Sequence, residues 1–288
     1  IKQMGLTTQA ALKFGELALK KANIINYKNE AREILENLLK KTPEELFLIK
    51  EKNISETNNL AFIKKIKKRT SGVPLQYITG VAHFYSRAFY VSKGVLIPRQ
   101  ETEILVETIL KTFKARSNVS CLDMCSGSGC IGISLALENK NFKRIMLADT
   151  SKRALLCSMK NVKAFRVKRR CTAVLSKFFS NIPNTRFDII CSNPPYISEK
   201  EYPLIEKQVK DYEPKLALVS KDKGLLHIKK IAQGAGGFLK QGGLLFLEVG
   251  QNQSEKVKEI LLDIGYCDLL TYNDLNQIKR IVVGKWKK

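Results

Sequence analysis

Val119-Ser120-Cys121-Leu122-Asp123-Met124, then Cys125-Ser126-Gly127-Ser128-Gly129, then Ile131 to Leu137: these residues decide the fold. Six mostly apolar residues that run into a glycine turn read as a buried strand, and the apolar run beyond the turn reads as a helix. Small residues let the backbone of such a turn come close to a ligand, and glycine accepts a positive φ. A strand that delivers its chain through this turn to a helix N-terminus is the opening half of a βαβ unit.

Outward from that stretch the alternation continues. Arg144 to Ala148 is a second apolar strand and ends at Asp149. Phe187 to Cys191 is a third, Gly243 to Val249 a fourth, and Arg280 to Lys285 closes the chain with another. Strands alternating with helical segments predict an α/β fold with a mostly parallel, Rossmann-like sheet over 99–288. Residues 1–72 read differently. Ala10, Ala11, Phe14, Leu17 and Ala18, then Ala31, Ile34, Leu35, Leu38 and Leu39, then Leu60, Ile63 and Ile66 recur at helical spacing. Thr42-Pro43-Glu44-Glu45 is a helix start, with Thr42 as N-cap. This predicts a small N-terminal helical domain. Between the two, residues 73–98 carry aromatic and β-branched runs punctuated by Pro74, Gly80 and Gly94, the pattern of a β-hairpin linker.

In an open α/β sheet, ligands sit at the carboxyl ends of the strands. Asp149, about 20 residues beyond the glycine turn, stands where a carboxylate can accept both ribose hydroxyls of a nucleoside. The turn lacks a third, correctly spaced glycine for a pyrophosphate, which disfavours a dinucleotide. A tight turn of small packing residues is the alternative reading of the same stretch.

Asn193-Pro194-Pro195-Tyr196 follows an apolar strand directly. Its two prolines stiffen the backbone and remove two N–H donors, leaving carbonyl acceptors, the asparagine amide and an aromatic ring. That surface suits a planar group bearing an NH₂. An amide nitrogen is a poor nucleophile because its lone pair is delocalised. Acceptors that hold both N–H bonds aim the lone pair and stabilise the charge that develops on nitrogen, and positioning against an electrophilic carbon supplies much of the remainder.

The 288 residues are 44% hydrophobic and carry a formal charge of +23. Most of that charge reads as a lysine-rich solvated surface. The densest cluster, Lys160 to Arg170, is the candidate for RNA phosphates or a ribosome contact. No run of about 18 uncharged apolar residues occurs, so no membrane span is expected. Ile1-Lys2-Gln3-Met4 lacks a signal peptide's apolar core, and a cytoplasmic location is the expectation. Seven scattered cysteines and two histidines, His83 and His227, point to reduced thiols rather than a disulfide framework or a metal site. Glu248, at the end of a strand, reads equally as a buried partner or as a strand-end carboxylate, and Arg99 as an interdomain ion-pair partner or as lining the substrate cleft.

Four stretches together resemble the HemK/PrmC family of release factor glutamine methyltransferases: Gly72 to Glu103, Cys121 to Leu137, Phe187 to Ile197, and Tyr212 to Leu218. The resemblance implies a class I methyltransferase fold with a seventh, antiparallel strand, and S-adenosyl-L-methionine as cofactor. The protein partner it implies is a class 1 peptide chain release factor, methylated on the glutamine of its Gly-Gly-Gln motif. By motif position, Cys125, Ser126, Gly127, Ser128 and Gly129 would pass under the cofactor. Asp149 would hold its ribose, Phe178 would flank the adenine, and Asn193 would border it. Asn193 and Pro194 would grip the substrate amide, with Pro195 and Tyr196 beside it, and the helical domain would help dock the partner. The chain departs from the family where Cys125 replaces glycine and Lys177 replaces aspartate. Two other readings stay open: a methyltransferase acting on an exocyclic adenine amine in RNA or DNA, and a degenerate scaffold without catalysis.

Overall fold

The computed structural model of the chain describes residues 6–287. Its contacts divide the chain into two compact units, one ending at Val81 and the other beginning at Ala82. The first unit is helical: α1 (Thr8–Lys21), α2 (Tyr27–Leu39), α3 (Pro43–Leu48), α4 (Glu56–Thr70) and α5 (Leu75–Thr79). Thr42 caps α3 through a complete capping box, in which the Glu45 carboxylate accepts the Thr42 N–H at 2.8 Å. Leu19, Ile34, Leu35, Phe62 and Ile66 form the core of this unit. The buried face of α1 is Thr8, Ala11, Gly15 and Leu19, whereas Phe14 and Leu17, expected inside, are 40% and 52% exposed. The reason is Gly15. A Cβ there would lie 2.8 Å from the Phe62 ring, so the aromatic from α4 takes the space beside the bare α1 backbone.

The boundary expected at residue 72 lies nine residues later. Val73-Pro74 leads into α5, whose Ile78 packs into the helical core, so the segment expected to open the hairpin completes the bundle instead. The hairpin itself is short: β1 (Val81–Phe84) and β2 (Arg87–Tyr90) form a two-stranded sheet. Its two turn residues, Tyr85 and Ser86, both have positive φ (49° and 57°), as a type I′ turn requires. The Tyr85 N–H donates to the Glu103 carboxylate at 2.7 Å.

The second unit continues with α6 (Glu103–Thr112), β3 (Val119–Met124), α7 (Cys130–Glu138), β4 (Phe142–Asp149), α8 (Lys152–Ala164), β5 (Cys171–Leu175) and β6 (Phe187–Ser192). After the short helices α9 (Lys207–Tyr212) and α10 (Lys215–Leu218) come α11 (Leu226–Ala235), β7 (Leu239–Glu248), α12 (Ser254–Ile264), β8 (Tyr266–Asn273) and β9 (Lys279–Trp286). Seven strands form one sheet in the order β5-β4-β3-β6-β7-β9-β8. All neighbours are parallel up to β7, and β9 inserts antiparallel between β7 and β8.

The strands at the middle of the sheet are buried on both faces. In β3, Cys121 joins the core under α6, α7 and α8, while Leu122 and Met124 join the core under α11 and α12. Period-two alternation is therefore hidden, and β3 reads as a continuous apolar run. From β3 the chain winds outward to β4 and β5, then returns to β6 on the other side of β3. That reversal opens a crevice beyond the carboxyl ends of β3 and β6. Among the described residues, no helix is long and apolar enough to cross a membrane.

Candidate functional site

The crevice at the strand ends is a cavity of about 200 Å³, many times the space of about 10–15 Å³ that one water requires. Its floor is Met124, Cys125, Ser126, Gly127 and Ser128, the turn from β3 to α7. One wall holds Asp149 at the end of β4 and Phe178 after β5, and the other holds Asn193 and Pro195 at the end of β6. The two segments on which the sequence reading rests therefore face one space.

The turn is built from unusual backbone. Cys125, Gly127 and Gly129 all have positive φ (61°, 55° and 80°). The Gly127 N–H donates to Asp149 Oδ2 at 2.9 Å, and the Ser151 N–H donates to Asp149 Oδ1 at 2.8 Å. The Asp149 carboxylate is thus held by backbone from two sides while still facing the cavity. Burial pushes its pKa up, against the pull of those backbone donors. The Ser126 and Ser128 hydroxyls are buried with no hydrogen-bond partner among the described residues, and both residues line the cavity. Such orphans are uncommon in a folded interior and suit a site that a polar ligand completes. Gly129 is not in the cavity wall. As the N-cap of α7 it lets the helix approach the sheet, for a Cβ there would lie 3.0–3.1 Å from Ile133, Leu147 and Ser158.

Asn193 is half-buried, and its Nδ2 donates to the Thr102 hydroxyl at 2.9 Å. With that donor engaged, Oδ1 is the free acceptor of the amide. Pro194 and Pro195 are buried, and only Pro195 lines the cavity. The Tyr196 ring packs into the core under α11 and α12, and its carbonyl accepts from Gln253 Nε2 at 3.0 Å. Burial, then the Glu248 carboxylate, pushes the Tyr196 phenol well above its ordinary range, so it is a neutral donor.

Phe178 has a positive φ of 51° in a turn closed by the Ser176 hydroxyl, which donates to the Phe178 carbonyl at 2.6 Å. Its ring lies 5.6 Å from that of His227, which also lines the cavity. His227 Nδ1 is 2.8 Å from the Ser220 hydroxyl, and burial lowers its pKa, so the ring is neutral near pH 7. Lys177 lies at the exposed rim beside Phe178.

Several wall residues had no local signal in the sequence. Thr102 is one. Arg99, expected as an ion-pair partner or a residue of the cleft, is both: it lines the cavity and pairs within the second unit with the buried Glu213, while Glu213 Oε2 accepts the Ile97 N–H at 3.0 Å. This pairing joins the Ile97 to Glu103 stretch to Tyr212 to Leu218 and brings Pro214, Leu216 and Ala217 to the cavity. Asn161 is a structural link behind the site. It accepts the Tyr90 N–H at 2.7 Å and donates to the Ser128 carbonyl at 2.9 Å, tying the hairpin to the turn.

Cys125 carries a prediction. A side chain at positive φ costs roughly 1–2 kcal/mol, partly offset by the greater unfolded-state freedom of glycine. Cys125→Gly is expected to raise the melting temperature by about 2–4 °C, the shift that follows from roughly 1 kcal/mol in a domain of this size. Thermal denaturation followed by circular dichroism measures it, and a lower melting temperature would contradict the strain argument. Burial pushes the Cys125 thiol up to about 12, so the variant removes no nucleophile at neutral pH.

Two family models match the chain. The model described as PrmC N-terminal domain covers residues 10–80, ending beside the division between the two units, and the model described as methyltransferase small domain covers residues 98–217. A release factor glutamine methyltransferase of Clostridium acetobutylicum is 35% identical, over 92% of this chain and 94% of its own. A bifunctional methyltransferase of Rickettsia bellii is 36% identical over 97% of this chain but only 55% of its own, so the chain spans about half the length of that relative. Among solved structures, a Thermus thermophilus 16S rRNA N2 G1207 methyltransferase in complex with AdoMet and guanosine aligns with a TM-score of 0.51 at 16% identity. That alignment covers 72% of this chain and 50% of the other, and it supports the fold alone.

Proposed function

Since the chain belongs to the release factor glutamine methyltransferase family, we propose that it methylates the side-chain amide nitrogen of the glutamine in the Gly-Gly-Gln motif of class 1 peptide chain release factors, with S-adenosyl-L-methionine as donor. One observation carries this reading: the Cys125 to Ser128 turn and Asn193 line the same cavity at the ends of adjacent strands.

The residues present fit the cofactor. Asp149 offers a carboxylate for ribose hydroxyls, Phe178 and Ile131 offer apolar faces for a flat ring, and Ser126 and Ser128 offer unpartnered hydroxyls. When bound, S-adenosylmethionine supplies an electrophilic methyl group on a sulfonium. The protein's own work is then positional. Asn193 Oδ1, in the cavity wall, holds one N–H bond of the glutamine amide, and the family pattern gives the other to the carbonyl of Pro194, which lies between the wall residues Asn193 and Pro195; together they turn the nitrogen lone pair toward the methyl. The same acceptors stabilise the positive charge that grows on nitrogen, and the proton leaves to solvent after transfer. Tyr196 acts from behind as a neutral donor that buttresses the strand end.

The lysine- and arginine-rich run between Asp149 and Asp188, which holds ten basic residues and no acidic one, suggests an additional RNA contact during encounter with a ribosome-associated partner. The test is mass spectrometry of a release factor after incubation with cofactor and this protein, alongside tRNA, rRNA and DNA as acceptors. A mass gain of one methyl on the Gly-Gly-Gln glutamine is the expected result. Methyl transfer to adenine instead, or to nothing at saturating cofactor, would overturn the proposal.

A further inference from the structure

The Asn193 amide is nearly symmetric in shape, and only its partners decide which end faces the cavity. Its Nδ2 donates to Thr102 Oγ1 at 2.9 Å, so the Thr102 oxygen is an acceptor there and its single proton must go elsewhere. Thr102 is 2% exposed, and a buried hydroxyl proton calls for an acceptor close by. Behind it stands Glu248, at the end of β7 beside the end of β6, 1% exposed, with Thr102 and Tyr196 as polar neighbours that favour its charged form. Glu248 Oε2 has no hydrogen-bond partner among the described residues.

We propose that Glu248 is the positioning residue of this site: as a carboxylate it takes the Thr102 proton, which leaves the Thr102 oxygen to accept from Asn193 and turns Asn193 Oδ1 into the cavity. The inference rests on the proposed function, in which Asn193 Oδ1 holds the substrate amide. An ionised carboxylate is acceptor-only, so it enforces this direction. A protonated Glu248 can donate to Thr102 instead. Thr102 then donates to Asn193 Oδ1, the amide turns over, and its NH₂ meets the NH₂ of the substrate.

The switch lies in an accessible range. Burial, the largest cause, pushes Glu248 up to about 7, and Glu101 on the turn before α6 adds to that, while Thr102, Arg280 and Tyr196 oppose it. Arg280 on β9 is partly committed to Asp274, at 3.0 Å from its Oδ2. Cys130 at the start of α7 is a further titratable neighbour, and its thiol is pushed up to about 12, so it carries no charge. The carboxylate therefore forms above about pH 7 and is lost below it.

Two measurements test the relay. In the first, kcat is followed from pH 5.5 to 8.5 at saturating cofactor. The reacting amide and sulfonium do not titrate in that range, and comparison with Glu248→Gln on the same substrate assigns the limb. The wild type is expected to lose about tenfold per pH unit below about 7, the behaviour of one essential base. Glu248→Gln removes the limb and lowers the plateau by roughly tenfold, within the effect usual for residues that orient a ligating group. Thr102→Val gives the same flat, lowered profile, and Thr102→Ser restores the limb. A wild-type profile that is flat while glutamine is still methylated, or a limb unchanged in Glu248→Gln, overturns the relay and leaves the function standing. The second measurement is independent of substrate: the side-chain ¹⁵N resonance of Asn193 is followed through the same pH range. A transition near pH 7 that vanishes in Glu248→Gln is expected, and a pH-independent resonance overturns the relay whatever the substrate proves to be.

Discussion

Replacing Asn193 with alanine is expected to lower kcat for methyl transfer by about 10²–10³-fold, the loss that follows removal of one preorganised hydrogen-bond partner of a developing charge. Geometry matters here more than affinity. The amide nitrogen of glutamine reacts only when its lone pair points at the methyl carbon, and in the proposed reaction Asn193 is one of the two acceptors that fix this direction. Asn193→Gln tests the geometry directly. It keeps the amide but moves it by about one bond length, and misplacement of about 1 Å can cost 10²-fold. Both variants leave Asp149 and the Cys125 to Ser128 turn intact, so cofactor affinity measured by calorimetry should change by less than about tenfold, a difference below 1.4 kcal/mol. Single-turnover rates at saturating cofactor separate the two effects. Retention of more than a tenth of wild-type kcat in Asn193→Ala would remove Asn193 from the reaction.

The fold was largely legible because its central strands announce themselves. β3, β6 and β7 are buried on both faces and stand out as apolar runs. The edges were harder. β5 has exposed Thr172 and Leu175, follows the basic Lys160 to Arg170 run, and gives no clean alternation. β8, at the opposite edge, breaks period two with adjacent Leu269 and Leu270 and an irregular register between Cys267 and Leu270, so its local pattern is weak. In the helical unit, Phe14 and Leu17 drew the reading of α1 toward the wrong face. Hydrophobicity alone does not register that Gly15 leaves room for Phe62.

The candidate site divides along the same line. The Cys125 to Ser128 turn, Asp149 and Asn193 were visible because each sits at the carboxyl end of a strand with its own local signal. Thr102 was not, because its meaning depends on a bond to a residue 91 positions away. A threonine at a helix start otherwise reads as a cap. Arg99 reads from the sequence as an ion-pair partner or a cleft residue, but its partner Glu213, 114 positions away, is marked by no local pattern. Tyr196 shows the converse: the sequence marks it out, but its ring is packed in the core and not in the cavity wall.

Asp149→Ala is expected to weaken S-adenosylmethionine binding by at least about 100-fold, near 3 kcal/mol. A hydrogen bond to a charged group is worth about 1.5–3 kcal/mol, and in the proposed site the carboxylate accepts from the ribose hydroxyls. A second loss accompanies it. The Gly127 and Ser151 N–H groups now donate to this carboxylate, so alanine leaves two backbone donors without their acceptor and loosens the floor of the cavity. Asp149→Asn separates the contributions. It keeps one acceptor oxygen for the backbone but loses the charge and presents an NH₂ to the other donor, so most of the fold stability should survive while affinity still drops by more than about tenfold. Isothermal titration calorimetry and thermal denaturation, run on both variants, measure the two quantities apart. Affinity within twofold of wild type in Asp149→Ala would detach Asp149 from the cofactor and leave it as a brace for the Gly127 turn. The second variant matters most here, because a brace and a ribose ligand respond to it in opposite ways: the brace is half retained, and the ligand is lost.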